Sequence, residues 1–115
     1  MKLIVTLRDS SLGEKERQYA LDRITHLQQY FERLTSAEVI LSVEATRKHR
    51  MRAEFVVHAN RGAILVAQAE DASMFAAIDR AHSEMKREVL RHKERLVDHH
   101  RARRAAAARR ARGAA

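Results

Sequence analysis

The chain has 115 residues, 45% of them hydrophobic and 33% charged, which suits one domain around one modest core and excludes wholesale disorder. It contains no cysteine, so disulfides, thiolate metal sites and a cysteine nucleophile are excluded, and a reducing compartment, the cytoplasm, is expected. The net charge of +8 is uneven: six arginines fall in residues 101–115 without an acid, and taking them from 23 bases leaves 17 against 15 acids, a net of +2, for residues 1–100.

Residues 2–7, Lys-Leu-Ile-Val-Thr-Leu, are aliphatic and β-branched and predict a first strand, too short to be the apolar region of a signal peptide. No apolar run is long enough to span a membrane. Ser11 followed by Glu14 has capping-box spacing and predicts the start of a helix there. Ala20, Ile24, Leu27, Phe31 and Leu34 then recur at steps of three and four, the core stripe of helix one.

After Thr35-Ser36 the period changes to two: Val39, Leu41 and Val43 alternate with polar residues and predict a second strand over about 37–46. Ala53, Phe55, Val57 and Ala59 predict a third strand, and Ala63–Ala69 a fourth, joined by a turn at Asn60-Arg61-Gly62. Between strands two and three, Arg47-Lys48-His49-Arg50-Met51-Arg52 is too charged for an ordinary tight turn and reads as a projecting basic loop. Asp71 or Ser73 can cap a last helix, whose apolar stripe is Met74, Ile78, Met85, Val89 and Leu96. The order is therefore β-α-β-β-β-α, an α+β fold, with residues 1–100 as the domain and 101–115 as a basic Arg/Ala-rich tail that can extend the helix but has no apolar stripe to hold it to the body.

Helix one carries a second stripe, Tyr19, Arg23, His26, Tyr30 and Arg33, in which cations and aromatics alternate as they do on RNA-binding surfaces; the same spacing also suits a solvated flank. On the last helix Arg80, Arg87, Arg91 and Arg95 lie away from the apolar stripe and Lys86 and Lys93 at its edge, a span able to meet several phosphates. Glu84, Glu88, Glu94 and Asp98 are spaced to pair with those arginines, which would make the face a salt-bridged surface instead. The coincidence of this helix with the basic loop and tail favours nucleic acid, and RNA over DNA because no helix-turn-helix or zinc-finger pattern is visible. His92, His99 and His100 lack metal-ligand spacing. With three glycines and no phosphate loop or nucleophile elbow, no catalytic role, cofactor or small-molecule substrate is expected.

Four segments in register resemble the ribosome hibernation-promoting factor and ribosome-associated inhibitor family: Leu27–Leu34 (LQQYFERL), Ala53–His58 (AEFVVH), Ser73–Asp79 (SMFAAID) and Leu90–Leu96 (LRHKERL). The resemblance covers about residues 1–100. It implies two helices on one face of a four-stranded sheet, similar to double-stranded-RNA-binding domains. It further implies binding to ribosomal RNA of the small subunit, in the decoding channel where messenger and the A-site and P-site transfer RNAs lie, and inhibition of translation in stress or stationary phase. Joined with the cationic stripes and loop, it gives Arg23, His26, Tyr30, Arg33, Arg47, Lys48, Arg50, Lys86, Arg87, Arg91, Lys93 and Arg95 as the expected RNA contacts. Departures from the family pattern are Leu7-Arg8-Asp9 where relatives have a glycine, Ser73 for the first Asp of the signature, and Glu84 where a lysine is common; the C-terminal dimerising domain of longer relatives is not expected here. The rival expectation is a regulatory protein-binding module on the same fold, such as a sigma-factor modulator.

Overall fold

The computed structural model describes residues 2–29, 34–44, 50–59 and 62–113, with side chains at 96–100 and from 110 onward outside the description. The elements are β1 (Lys2–Leu7), α1 (Glu14–His26) followed by one 3-10 turn (Leu27–Gln29), β2 (Leu34–Glu44), β3 (Arg50–Ala59), β4 (Ile64–Asp71) and α2 (Met74–Gly113). This is the expected β-α-β-β-β-α order.

The sheet has the order β1-β2-β3-β4, with β1 parallel to β2 and the other pairs antiparallel. Side chains alternate between faces along a strand, so the register decides which rows meet. Val5, Val39, Phe55 and Ala67 form one row across all four strands, flanked by Leu3, Ala37, Val57 and Leu65 on one side and Leu7, Leu41, Ala53 and Ala69 on the other. Both helices pack on this face: α1 against β1 and α2, and α2 across β3 and β4. Ala20 and Ile24 from α1, with Leu27 of the 3-10 turn, close the core on one side, and Met74, Ala77, Ile78, Ala81, Met85 and Val89 close it from α2. Alanines at 77 and 81 let the helix axis approach the sheet, while Phe55, fully buried, fills the centre. On the opposite face Ile4, Ile64 and Val66 remain exposed.

The ends of elements differ from the sequence expectation in three places. The start of α1 is not a Ser11–Glu14 box: Ser11 donates its N–H and hydroxyl to Asp9 Oδ1 (2.8 and 2.5 Å), and Gly13 takes the cap position, its N–H bonded to Glu16 Oε2 at 3.0 Å. The carboxylate reach-back is real but shifted two residues, because Asp9 has already captured Ser11 in a local turn. The helix one stripe does not run to Leu34, which is the first residue of β2, opposite Ala59, and is buried there. Phe31 lies outside the described residues. Arg50, Met51 and Arg52 belong to β3 rather than to a loop: Met51 faces the core opposite Val43, and Arg52 reaches Glu44 (3.4 Å), Glu54 (3.7 Å) and Gln68 on the open face. Cross-strand acids thus satisfy charges that look unpaired in one dimension.

At the β3–β4 turn Gly62 has φ +76°, a left-handed conformation that side chains with a Cβ resist, and Ala59 N–H bonds to Ala63 O at 2.8 Å. Asp71 accepts from the Ser73 N–H (3.3 Å) and pairs with Arg80 (3.3 Å) at the start of α2, and these bonds hold its carboxyl below the usual carboxylate range. The last helix runs past the end of its apolar stripe and continues unbroken to Gly113, the extension that the Arg/Ala composition allows. At 1.5 Å per residue its 40 residues span about 60 Å, which accounts for the 69 Å long axis of the molecule.

Candidate nucleic-acid interface

The seam between α1 and α2 is fastened by Tyr19, whose hydroxyl donates to Asp79 Oδ1 at 2.7 Å and whose ring meets Phe75 edge to face at 5.1 Å. Arg23, one turn on, lies over the Tyr19 ring (5.2 Å), donates to its hydroxyl (3.1 Å) and pairs with Asp79 (3.1 Å). The Tyr19 hydrogen bond and, secondarily, the Asp79 charge raise the Arg23 pKa further, so it is cationic at every working pH. About a third of its side chain remains accessible, leaving donors for a phosphate. Arg23 therefore does two jobs: it ties the helices and presents charge.

Next along the seam, the rings of His26 and His82 are 6.5 Å apart, and His82 also meets Phe55 at 6.4 Å. His82 is half-buried with its Nε2 sealed from solvent and without a hydrogen-bond partner among the described residues. Burial first, and then the nearby positive charges of Arg23, His26 and Lys86, push its pKa down against an opposing pull from Asp79. The seam thus gathers Arg23, His26, His82 and Lys86 into one electropositive group that disfavours protonation of His82.

Helix geometry separates the remaining cations of α2. Relative to the buried Met85, Lys86 and Lys93 are turned about 80–100° to the side that carries Phe75 and Asp79, hence toward α1, while Arg80, Arg87, Arg91 and Arg95 are turned about 80–160° the other way. Arg80 reaches back to Glu70 O (3.1 Å) at the β4 edge. Arg87 and Arg91 are exposed and pair with Glu84 (3.1 Å) and Glu88 (2.9 Å) one turn earlier. Such exposed pairs contribute roughly 0.3–0.5 kcal/mol, little enough for a phosphate to displace. Lys93 and Arg95 are exposed.

The expected RNA contacts are therefore only partly assembled. Arg23, His26 and Lys86 share the seam, with Lys93 on the same side, and Arg87, Arg91 and Arg95 share the outer flank. Arg50 joins neither group: it stands on the open face of the sheet, paired with Glu70 at 3.7 Å. Tyr30, Arg33, Arg47 and Lys48 lie outside the described residues. The sequence reading missed His82, which a search for polar residues inside an apolar stripe would have found between Ile78 and Met85. Among the described residues no cluster of three or more His, Cys, Asp or Glu could hold a metal, and no helix is long and apolar enough to cross a membrane.

A family model described as Sigma 54 modulation protein / S30EA ribosomal protein matches residues 3–97. The chain is similar to the ribosome hibernation promoting factor of Azotobacter vinelandii, 37% identical over 82 residues, covering 71% of this chain and 73% of that protein. The factor of the same name from Salmonella typhimurium is 34% identical over 99 residues, 86% of this chain and 100% of that protein. Among solved structures, the Protein Y N-terminal domain of Thermus thermophilus superposes with a TM-score of 0.67 at 28% identity, over 79% of this chain and 98% of that one. A ribosomal subunit interface protein of Coxiella burnetii reaches 0.71 at 16% identity, over 82% and 99%, a likeness of fold alone.

Proposed function

The chain belongs to the Sigma 54 modulation protein / S30EA ribosomal protein family, and from that premise we propose that it is a non-catalytic ribosome hibernation factor. Residues 1–100 are the ribosome-binding unit. They bind ribosomal RNA of the small subunit in the decoding channel, across the messenger, A-site and P-site positions, and inhibit translation in stress or stationary phase by occupying that space, in the cytoplasm. The observation that carries the reading is the crowding of cations onto the helix layer of a body with a net charge of only +2: Arg23, His26 and Lys86 at the seam, and Arg87, Arg91 and Arg95 on the flank. Phosphates there would take over donors now held by Asp79, Glu84 and Glu88, releasing counterions and making binding fall steeply with salt.

Sedimentation of the full chain with small subunits over a salt series tests this. Messenger and initiator transfer RNA should compete the protein away, and Arg87→Glu/Arg91→Glu should abolish binding while far-UV circular dichroism stays unchanged. Binding indifferent to both competitors and to the charge reversal would remove the decoding-channel reading. The exposed aliphatics Ile4, Ile64 and Val66 on the open sheet face support a second reading, a regulatory protein-binding module, whose affinity would vary little with salt.

A further inference from the structure

Beyond the part matched by the family model, α2 continues as helix to Gly113. Residues 101–113 carry six arginines, and residues 99–115 carry no acid. We propose that this outer part of α2 is a second RNA-binding element, a rod that lies in a cleft walled by phosphates on more than one side; the choice of RNA rests on the ribosomal reading above.

The arrangement of charge argues for enclosure. Setting Arg101 at 0° and turning about 100° per residue, Arg109 lies near 80°, Arg103 near 200° and Arg104 near 300°. All four are exposed. A helix that docks on a protein needs an apolar stripe, and one that lies on a membrane needs an apolar face opposite its cations. Here the other residues from 101 to 112 are alanines, so neither exists. Cations pointing to every side are matched only by surroundings that are anionic on every side, as where two RNA backbones run close together. The small alanine side chains keep the rod slim enough to enter.

The body also prepares this element for binding. A helix of 13 residues would be marginal alone, but here its nucleus is the packed inner part of α2, and each further residue only propagates it. Arginines near a helix C-terminus are additionally favoured by the macrodipole. Little ordering is then left to be done on contact with RNA. From Val89, fully buried, to Gly113 is 24 residues, about 36 Å, so the phosphates met by the rod are not those under the seam.

The test uses the full chain carrying Arg101→Gln, Arg103→Gln, Arg104→Gln and Arg109→Gln, with small subunits and a short RNA duplex as probes over a salt series. The slope of log affinity against log salt should become shallower by about three, the share of four phosphate contacts, with helix content unchanged. Two half-variants, Arg101→Gln/Arg109→Gln and Arg103→Gln/Arg104→Gln, should each lose about half of that difference. If one half-variant loses all of it, the rod lies on a surface and enclosure is wrong. An unchanged slope, while Arg87→Glu/Arg91→Glu still releases the subunit, overturns this element and leaves the ribosomal reading standing; failure of the unsubstituted chain to bind the subunit at low salt fails the ribosomal reading itself. Binding to vesicles of one part phosphatidylglycerol to three parts phosphatidylcholine, lost in the fourfold variant when the RNA slope is not, would assign the rod to a membrane surface and overturn the proposal.

Discussion

The two parts of α2 are one helix built on opposite principles. From Met74 to Val89 it is held by tertiary packing, with a buried face and with Arg80 and Arg87 answered by Asp71 and Glu84; Arg91, just beyond, is answered by Glu88. From Arg101 onward it has arginine and alanine, no acid, and exposed side chains at all four described arginines. What fixes a helix in place and what charges its surface are thus separable: the inner part sets an acid beside each of these arginines, and the outer part has none.

The largest expected effect breaks the inner part alone. Met85→Ala removes a fully buried side chain and should lower unfolding free energy by about 2–5 kcal/mol in urea titrations, whereas Ala107→Gly, in the outer part, should leave the global transition unchanged and cost only local helicity, about 1 kcal/mol. Equal losses would mean that the outer part is packed after all. Tyr19→Phe deletes the hydroxyl shared by Asp79 and Arg23 and should cost about 1.5–3 kcal/mol, since both partners are charged; a loss near zero would show that Arg23 and Asp79 hold the seam by themselves.

A smaller effect depends on pH. Because the folded pKa of His82 lies below its ordinary 6.5, the unfolded chain takes up a proton first as pH falls, so its contribution to stability is full above about pH 6.5 and is lost as pH drops toward the folded value. Phosphates over the seam would favour the protonated ring of His82, so RNA affinity should rise over the same interval in which stability declines. Parallel titrations of wild type and His82→Leu check both signs, the variant being flatter in each. The smallest effect converts the inner part toward the outer: Glu84→Gln/Glu88→Gln should change stability by less than about 1 kcal/mol yet steepen the salt dependence of RNA binding. An unaltered slope would mean that Arg87 and Arg91 do not meet phosphate.

Where one face of a strand is buried, a slip of one residue would expose the whole core row, so Val39-Leu41-Val43 and Phe55-Val57-Ala59 made the central strands legible from alternation alone. The end of α1 was not legible, because Leu27 and Leu34 keep helical spacing even though Leu27 opens a 3-10 turn and Leu34 opens a strand. Nor was the start of β3, whose arginines find acids far away in sequence, at Glu44 and Glu70. The candidate site divides in the same way. Stripes on each helix could be read from spacing, but which flank of α2 faces α1 is a tertiary fact, and only that fact groups Lys86 with Arg23 and His26 and sets Arg87 and Arg91 apart. His82 was hidden for the same reason: in one dimension it is a polar interruption of an apolar stripe, and its meaning comes from the ring across the seam.

The length of α2 also governs how the molecule moves through solution. Its radius of gyration is 18.6 Å, against about 13 Å for a compact chain of this length and close to that of a compact chain of roughly 275 residues. A single copy should leave a sizing column earlier, and diffuse more slowly, than a compact globular protein of its mass. Elution volume therefore overstates the mass of one extended copy, and mass from light scattering counts the copies.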